Sequence, residues 1–285
     1  MRTVPVDRSL EALPLFRLSD SSDSREFSYS PRQGVKWRVL AHPGDRLPGT
    51  FDQDVYVEIL RRFHDAGSPV DGTVSFTLHA FLRSMGRQVD GRTYEQLRSS
   101  LTRLERTLLE STSAYFDAVA ATHVNASFTL LSSVAIQRRR ATDRDQLALF
   151  PMISSSEPGV ARVVLSPFMR SNLEAGHTAI IETAVYASLH SAVARRLYRI
   201  LQMIRATNPG GIWRVSVADL ARMLPLSQRY PSHLRRVLDP AHEMLTAAGL
   251  LRNASLTETV DGWTMEYELT ASGAAAPSTR QITLF

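Results

Sequence analysis

The sequence predicts an α+β fold, mainly helical, made of two tandem winged-helix domains with flexible N- and C-terminal tails. Three observations lead there. A chain of 285 residues with 44% apolar content is long enough for about two domains, each burying its own core. A pattern of short helix, turn, long helix and two-stranded hairpin is written twice. And an offset of 137 residues superimposes the two long helices, pairing Leu97 with Leu234, Leu101 with Leu238, Leu104 with Ala241 and Leu108 with Leu245. In both helices these positions follow the apolar face of a 3.6-residue period, so the core stripe is matched as well as the length.

Residues 1–34 are polar, with six Ser between Ser19 and Ser30, and read as a flexible arm. The first domain is expected over residues 35–150. Val35–Leu40 is patterned as a strand, and Asp52–Ala66 as an amphipathic helix carrying Val55, Ile59, Leu60 and Phe63 inward. Ser75 is placed to cap a short helix ending at Gly86, and a long helix follows from Gly91 to Glu110. Ser113–Ala121 and Ala126–Gln137 then form a hairpin turning at Thr122–Asn125. The stretch Ala141–Gly159, charged and then rich in Ser and Pro, marks the junction, with residues 151–160 as linker.

The second domain, residues 161–270, begins with short strands at Ala161–Leu165 and Thr178–Ile181 flanking a helix opened by Pro167. Thr183–Ala206 reads as one long helix stopped by Asn208–Gly211. Ser216 caps the next short helix, with Asp219 at the reciprocal capping position. A second long helix begins near Tyr230, and Leu250–Thr259 and Gly262–Thr270 form a hairpin around Val260, Asp261 and Gly262. Residues 271–285 read as a flexible tail.

Composition narrows the function. With no Cys, iron-sulfur sites, disulfides and thiol nucleophiles fall away. The 33 basic residues are Arg apart from Lys36, set against 28 acids for a net +5. Lys36 lies in QGVKW, so neither a GxxxxGK[ST] phosphate loop nor an SxxK acylation motif is present. HExxH, GxSxG, GxGxxG and His-x-His patterns are also missing from the chain. The expectation is a binding protein, not an enzyme, without cofactor or metal. No apolar run approaches the roughly 18 residues of a membrane span, and the N-terminus lacks a signal-like core. A cytoplasmic, nucleoid- or plasmid-associated protein without membrane partners is expected.

The first long helix places Arg92, Ser99, Arg103 and Arg106 opposite its leucines, with Gln96 at the edge. The second region offers Arg229, Tyr230, Ser232, His233, Arg235 and Arg236. Arg can bond guanine bidentately, Gln can read adenine, and Ser or Tyr can fix phosphates, so these are residue types that a groove-entering helix needs. The alternative is a solvated face on an Arg-rich protein. Residues 191–252 hold ten Arg against three acids, an electrostatic footprint for a polyanion. The second hairpin cuts against this, because Asn253–Leu269 carries Glu258, Asp261, Glu266 and Glu268 and no basic residue; Arg138, Arg139 and Arg140, after the first, offer a phosphate clamp or a solvated linker.

Two motifs carry a family resemblance. Ala194–Leu201 (ARRLYRIL), followed by the helix-turn-helix and His233–Leu245 (HLRRVLDPAHEML), resembles the iteron-binding plasmid replication initiators, in particular the replication initiator protein A group. In that helix Pro240 is expected to kink or restart the turn, with Asp239 as cap. The resemblance implies a non-catalytic, sequence-specific binder of double-stranded DNA that recognises origin repeats, as monomer or homodimer, with Arg229, Tyr230, Ser232, His233, Arg235 and Arg236 contacting the repeats and the helix from Arg92 to Arg106 adding phosphate or base contacts. It also implies recruitment of replication machinery, including replicative helicase and host initiator.

A second likeness is independent. QLALF (Gln146, Leu147, Leu149, Phe150) and the terminal QITLF (Gln281, Ile282, Leu284, Phe285) resemble the pentapeptide that docks bacterial proteins on the replicative sliding clamp. An extended peptide of this kind sets its apolar side chains in pockets while the Gln amide bonds a polar rim. QLALF reads equally as a strand closing the first domain. Two further functions compete: a transcriptional repressor of the same fold, and a tyrosine-type DNA strand-transferase using His233, Arg236, His242 and Tyr267.

Overall fold

The computed structural model describes residues 2–18, 25–136, 160–208, 211–226, 231–260 and 262–270. Its N-terminal residues correct the expected flexible arm. β1 (Thr3–Asp7) turns Val4 and Val6 inward and pairs antiparallel with β9 (Thr178–Glu182). The Asp7 side chain accepts from the Ser9 amide at 2.9 Å and so caps α1 (Arg8–Glu11). Leu10, Leu13, Leu15 and Phe16 are all buried behind it. Serine enrichment begins only at Ser19; before it stand an alternating strand and an apolar run whose burial outweighs the entropy of ordering them.

In the next part, β2 (Glu26–Tyr29), β3 (Lys36–Leu40), β5 (Leu108–Asp117) and β6 (Thr122–Phe128) form an antiparallel sheet in the order β2-β3-β5-β6. Between its strands run α2 (Thr50–Asp65), β4 (Thr73–Thr77), α3 (Leu78–Ser84) and α4 (Gly91–Arg106). Thr77 caps α3, where Ser75 was expected, since its hydroxyl accepts from the Ala80 amide at 3.1 Å. α4 stops at Arg106 because Thr107 is extended and leads into β5. The hairpin turns four residues earlier than expected, after Asp117, whose carboxylate accepts from the amides of Val119 and Ala120 at 2.9 and 3.0 Å. β7 (Leu131–Ile136) joins β4 only through β8 (Val160–Leu165), in the order β4-β8-β7. Strands from either side of the expected linker therefore share one sheet.

After β8 come α5 (Pro167–Glu174), β9, α6 (Thr183–Ser188) and α7 (Ala192–Thr207). The single helix expected over 183–206 is thus broken at Leu189 and His190, and Ser191 caps the second piece. β10 (Ile212–Ser216), α8 (Val217–Met223), α9 (Pro231–Ala247), β11 (Leu251–Thr259) and β12 (Gly262–Leu269) complete the described chain, with an antiparallel sheet ordered β10-β12-β11. Ser216 caps α8 as expected, accepting from the Asp219 amide at 3.0 Å. Pro240 does not restart the helix. It lies inside α9 at an exposed position, and Arg236, whose carbonyl loses its helical N–H to the proline, is exposed as well. Among the described residues 41% are helical and 32% lie in strands, so the fold is α+β without helical predominance. Among the described residues no helix is long and apolar enough to cross a membrane.

Candidate nucleic-acid interface

The apolar stripe of α9 decides which of its faces meets solvent. Leu234, Leu238, Ala241 and Leu245 are at most 1% exposed and pack toward α7 and β11. Ser232, His233, Arg235 and Arg236 are left on the outer face, as expected. Arg235 Nε lies 3.4 Å from Asp239, one turn on, while Arg236 makes no ion pair among the described residues. Arg229 and Tyr230 lie outside the described residues.

On α4, Leu97, Leu101 and Leu104 are fully buried; Leu108 has already left the helix for β5. Arg92, Gln96, Ser99 and Arg106 are exposed. Arg103 corrects the expected set. Its guanidinium turns inward, bonding Asp52 at 2.8 and 3.0 Å and Asp45 at 3.1 Å, and its side chain is 9% exposed. It sits at the border of the leucine stripe, where two carboxylates of the α2 region claim it. The exposed face borders an open cleft of about 450 Å³ against β7, lined by Glu95, Ser99, Thr102, Arg106, Val134 and Ile136.

The charge excess over residues 191–252 is largely neutralised within the fold. Arg196 and Arg199 are fully buried on Glu11, and Arg195 lies against Asp54 at 2.5 Å. Arg214 pairs with Glu266, Arg252 with Glu268 and Arg222 with Asp219. Two of the hairpin acids therefore balance arginines on the same sheet. On the outer face of α9, Arg236 is the arginine without an ion pair among the described residues.

Tyr267 is withdrawn from strand-transfer chemistry. It is 0% exposed, stacked on Trp213, and its hydroxyl meets His242 Nε2 at 3.1 Å. Burial pushes the phenol well above its ordinary value and holds His242 down to about 4, against a smaller opposing effect of Asp239. In this arrangement the phenol oxygen does not face solvent. Both clamp-like pentapeptides, Gln146–Phe150 and Gln281–Phe285, and the triplet Arg138–Arg140 lie outside the described residues.

The family model for replication initiator protein A matches residues 6–244. The chain belongs to that family. Membership gives this initiator its place in the initiation of replication. Its fold is similar to a crystal structure of domains 2 and 3 of RctB, in selenomethionine form, at a TM-score of 0.59 and 10% identity, covering 93% of this chain and 99% of that one. A second RctB structure of the same domains gives a TM-score of 0.51 at 11% identity, over 92% and 97% of the two chains. Among curated proteins no sequence match is found. The match begins at Val6, inside β1, so the N-terminal segment belongs to the shared unit. Glu11, the acid that neutralises Arg196 and Arg199 of the ARRLYRIL motif, has no local sequence signal, because it lies 188 residues before Arg199.

Proposed function

We propose that the protein is a sequence-specific, double-stranded DNA-binding replication initiator that recognises origin repeats and recruits replication machinery without catalysing a reaction itself. The outer face of α9 carries this reading: Ser232, His233, Arg235 and Arg236 project from the second helix of a helix-turn-helix whose leucines are all inside. The element order β10-α8-α9-β11-β12, with β12 paired to both β10 and β11, supports reading this unit as a winged helix. The first unit is its partial copy, because β4 pairs with β8 and leaves β5 and β6 to another sheet. Entry of α9 into a major groove sets Arg236 against base edges and Ser232 against phosphate.

The exposed face of α4, with Arg92, Gln96, Ser99 and Arg106, adds further contacts in this reading. Repeats of about 20 bp, roughly two turns, suit two such helices. Docking of the terminal QITLF on the sliding clamp supplies recruitment in this scheme. Footprinting on repeats beside the protein's own gene tests the reading. Protection in register with the repeats is expected, and Arg236→Ala is expected to cost about 1–3 kcal/mol of specific binding. Random protection would overturn it. Removing Gln281–Phe285 should impair replication while leaving DNA binding intact; a repressor would lose neither.

A further inference from the structure

Residues 2–17 bind both halves of the molecule. Toward the second half, β1 is the only strand paired with β9 among the described residues, and β9 is the strand on which α7 packs. Glu11, fully buried, accepts two bonds from Arg199, from Nε at 2.8 Å and Nη2 at 2.9 Å, and one from Arg196 at 3.2 Å. Arg196 also donates to the Leu13 carbonyl at 2.8 Å. Toward the first half, Trp37 Nε1 donates to the Pro14 carbonyl at 2.8 Å, the Arg17 amide to the Pro48 carbonyl at 2.7 Å, and the Ser9 hydroxyl to the Phe116 carbonyl at 2.8 Å. The Arg199 guanidinium lies over Phe16 of the segment and Tyr56 of α2, at 5.4 and 5.2 Å from their ring centres.

The β4-β8-β7 sheet and the bonds of Asn172 to Tyr115 and Phe116 tie residues 160–174 to the first half, so the second half is the part from β9 onward; among the described residues, the polar contacts that join it to the first half without residues 2–17 are gathered on α2. Tyr186 donates to Asp54 at 3.0 Å, Arg195 bonds the same carboxylate, and Gln53 donates to the Ala192 carbonyl at 3.4 Å. Withdrawing Glu11 leaves two interior guanidiniums without their carboxylate, a state that either reverts or opens to water. Such a contact has two discrete arrangements and little between them.

We propose that the N-terminal segment is a clasp, keyed by Glu11, that holds α4 and α9 in one mutual orientation, and that its release lets the second half swing on the Asp54 contacts. The link to DNA rests on the function proposed above; the mechanical claim does not.

The Cys-free chain makes a direct test available. Val70→Cys in the first half and Val260→Cys at the β11–β12 turn replace fully solvent-facing valines and accept spin labels. Dipolar distance measurements on the full-length protein should give one narrow distribution between these sites, and Glu11→Gln should broaden it into several. A Glu11→Gln protein that keeps its circular dichroism and the same narrow distribution overturns the clasp. Should that variant fail to fold, native-state hydrogen exchange on the unsubstituted chain decides. Amides of β1 and α1 opening together before those of α7 support the clasp, and equal protection of the two overturns it. Binding to the repeats is scored separately on the unsubstituted chain, so failure of the proposed function and failure of the clasp appear in different measurements.

Discussion

Arg103 and Arg236 share a side chain and a helical context, yet one is structural and the other faces solvent. Arg103 is claimed by Asp52 and Asp45, so Arg103→Ala leaves a buried carboxylate without its cation. A loss of about 3–5 kcal/mol in urea-induced unfolding is expected, with unchanged DNA affinity for the molecules that remain folded. Burial, helped by Arg8, holds His177 down to about 4, as burial does His242. Because both lie below the ordinary histidine value, their contribution is complete above about pH 6.5 and is lost as pH falls toward 4. Asp7 runs the other way: burial raises it to about 7 against the bonds from Tyr115, Asn172 and Ser9, so its contribution is present at low pH and lost as pH rises through 7. Two histidines against one carboxyl predict net weakening on acidification. In NMR titrations the His177 and His242 ring signals should stay fixed through pH 6 to 7. None of this was legible from residue type alone; Arg103 lies one position from Leu104, and only the placement of α2 tells which side it falls on.

Elements were legible where their signals are local. α8 and α9 follow from a Ser216 cap and a leucine stripe, and both stand where the spacing puts them. The cap can be weighed: Ser216→Ala is expected to lower stability by about 1 kcal/mol, read from thermal unfolding, because the Asp219 amide loses its acceptor. The break at Leu189–His190 was not legible, since the apolar pattern runs on and only the extended backbone at Leu189 interrupts it. β1 escaped for a related reason. Five alternating residues resemble many exposed segments, and what makes them a strand is the register Val4 to Ile181 and Val6 to Ala179, set far along the chain. The copy relation of the two helix-turn-helix units was legible in their stripes but not in their sheets, because strand pairing depends on neighbours that the repeat does not contain.

For the whole molecule, the basic excess proved a poor guide to the surface, because its strongest cluster is consumed in the interior by Glu11 and Asp54. The free cationic surface is smaller than the composition implies, and the salt dependence of binding measures it. Titrations of a single repeat at several salt concentrations should give a log–log slope that falls in magnitude by about one for Arg235→Ala or Arg106→Ala, and not at all for Arg195→Ala in protein that stays folded. The same internal bookkeeping explains the acidic hairpin, whose Glu266 and Glu268 answer Arg214 and Arg252.

The pairing of β1 with β9 also orders events during synthesis. Residues 3–7 leave the ribosome before the rest of the described fold, but their partner strand follows more than 170 residues later and the Arg199 guanidinium later still. At bacterial translation speeds of about 5–20 residues per second, the N-terminal strand waits many seconds as an unmatched edge. Nascent chains ending before Thr178 should therefore be unable to complete the molecule's centre, and closure of the native core becomes a late step with the long-range contacts that slow folding.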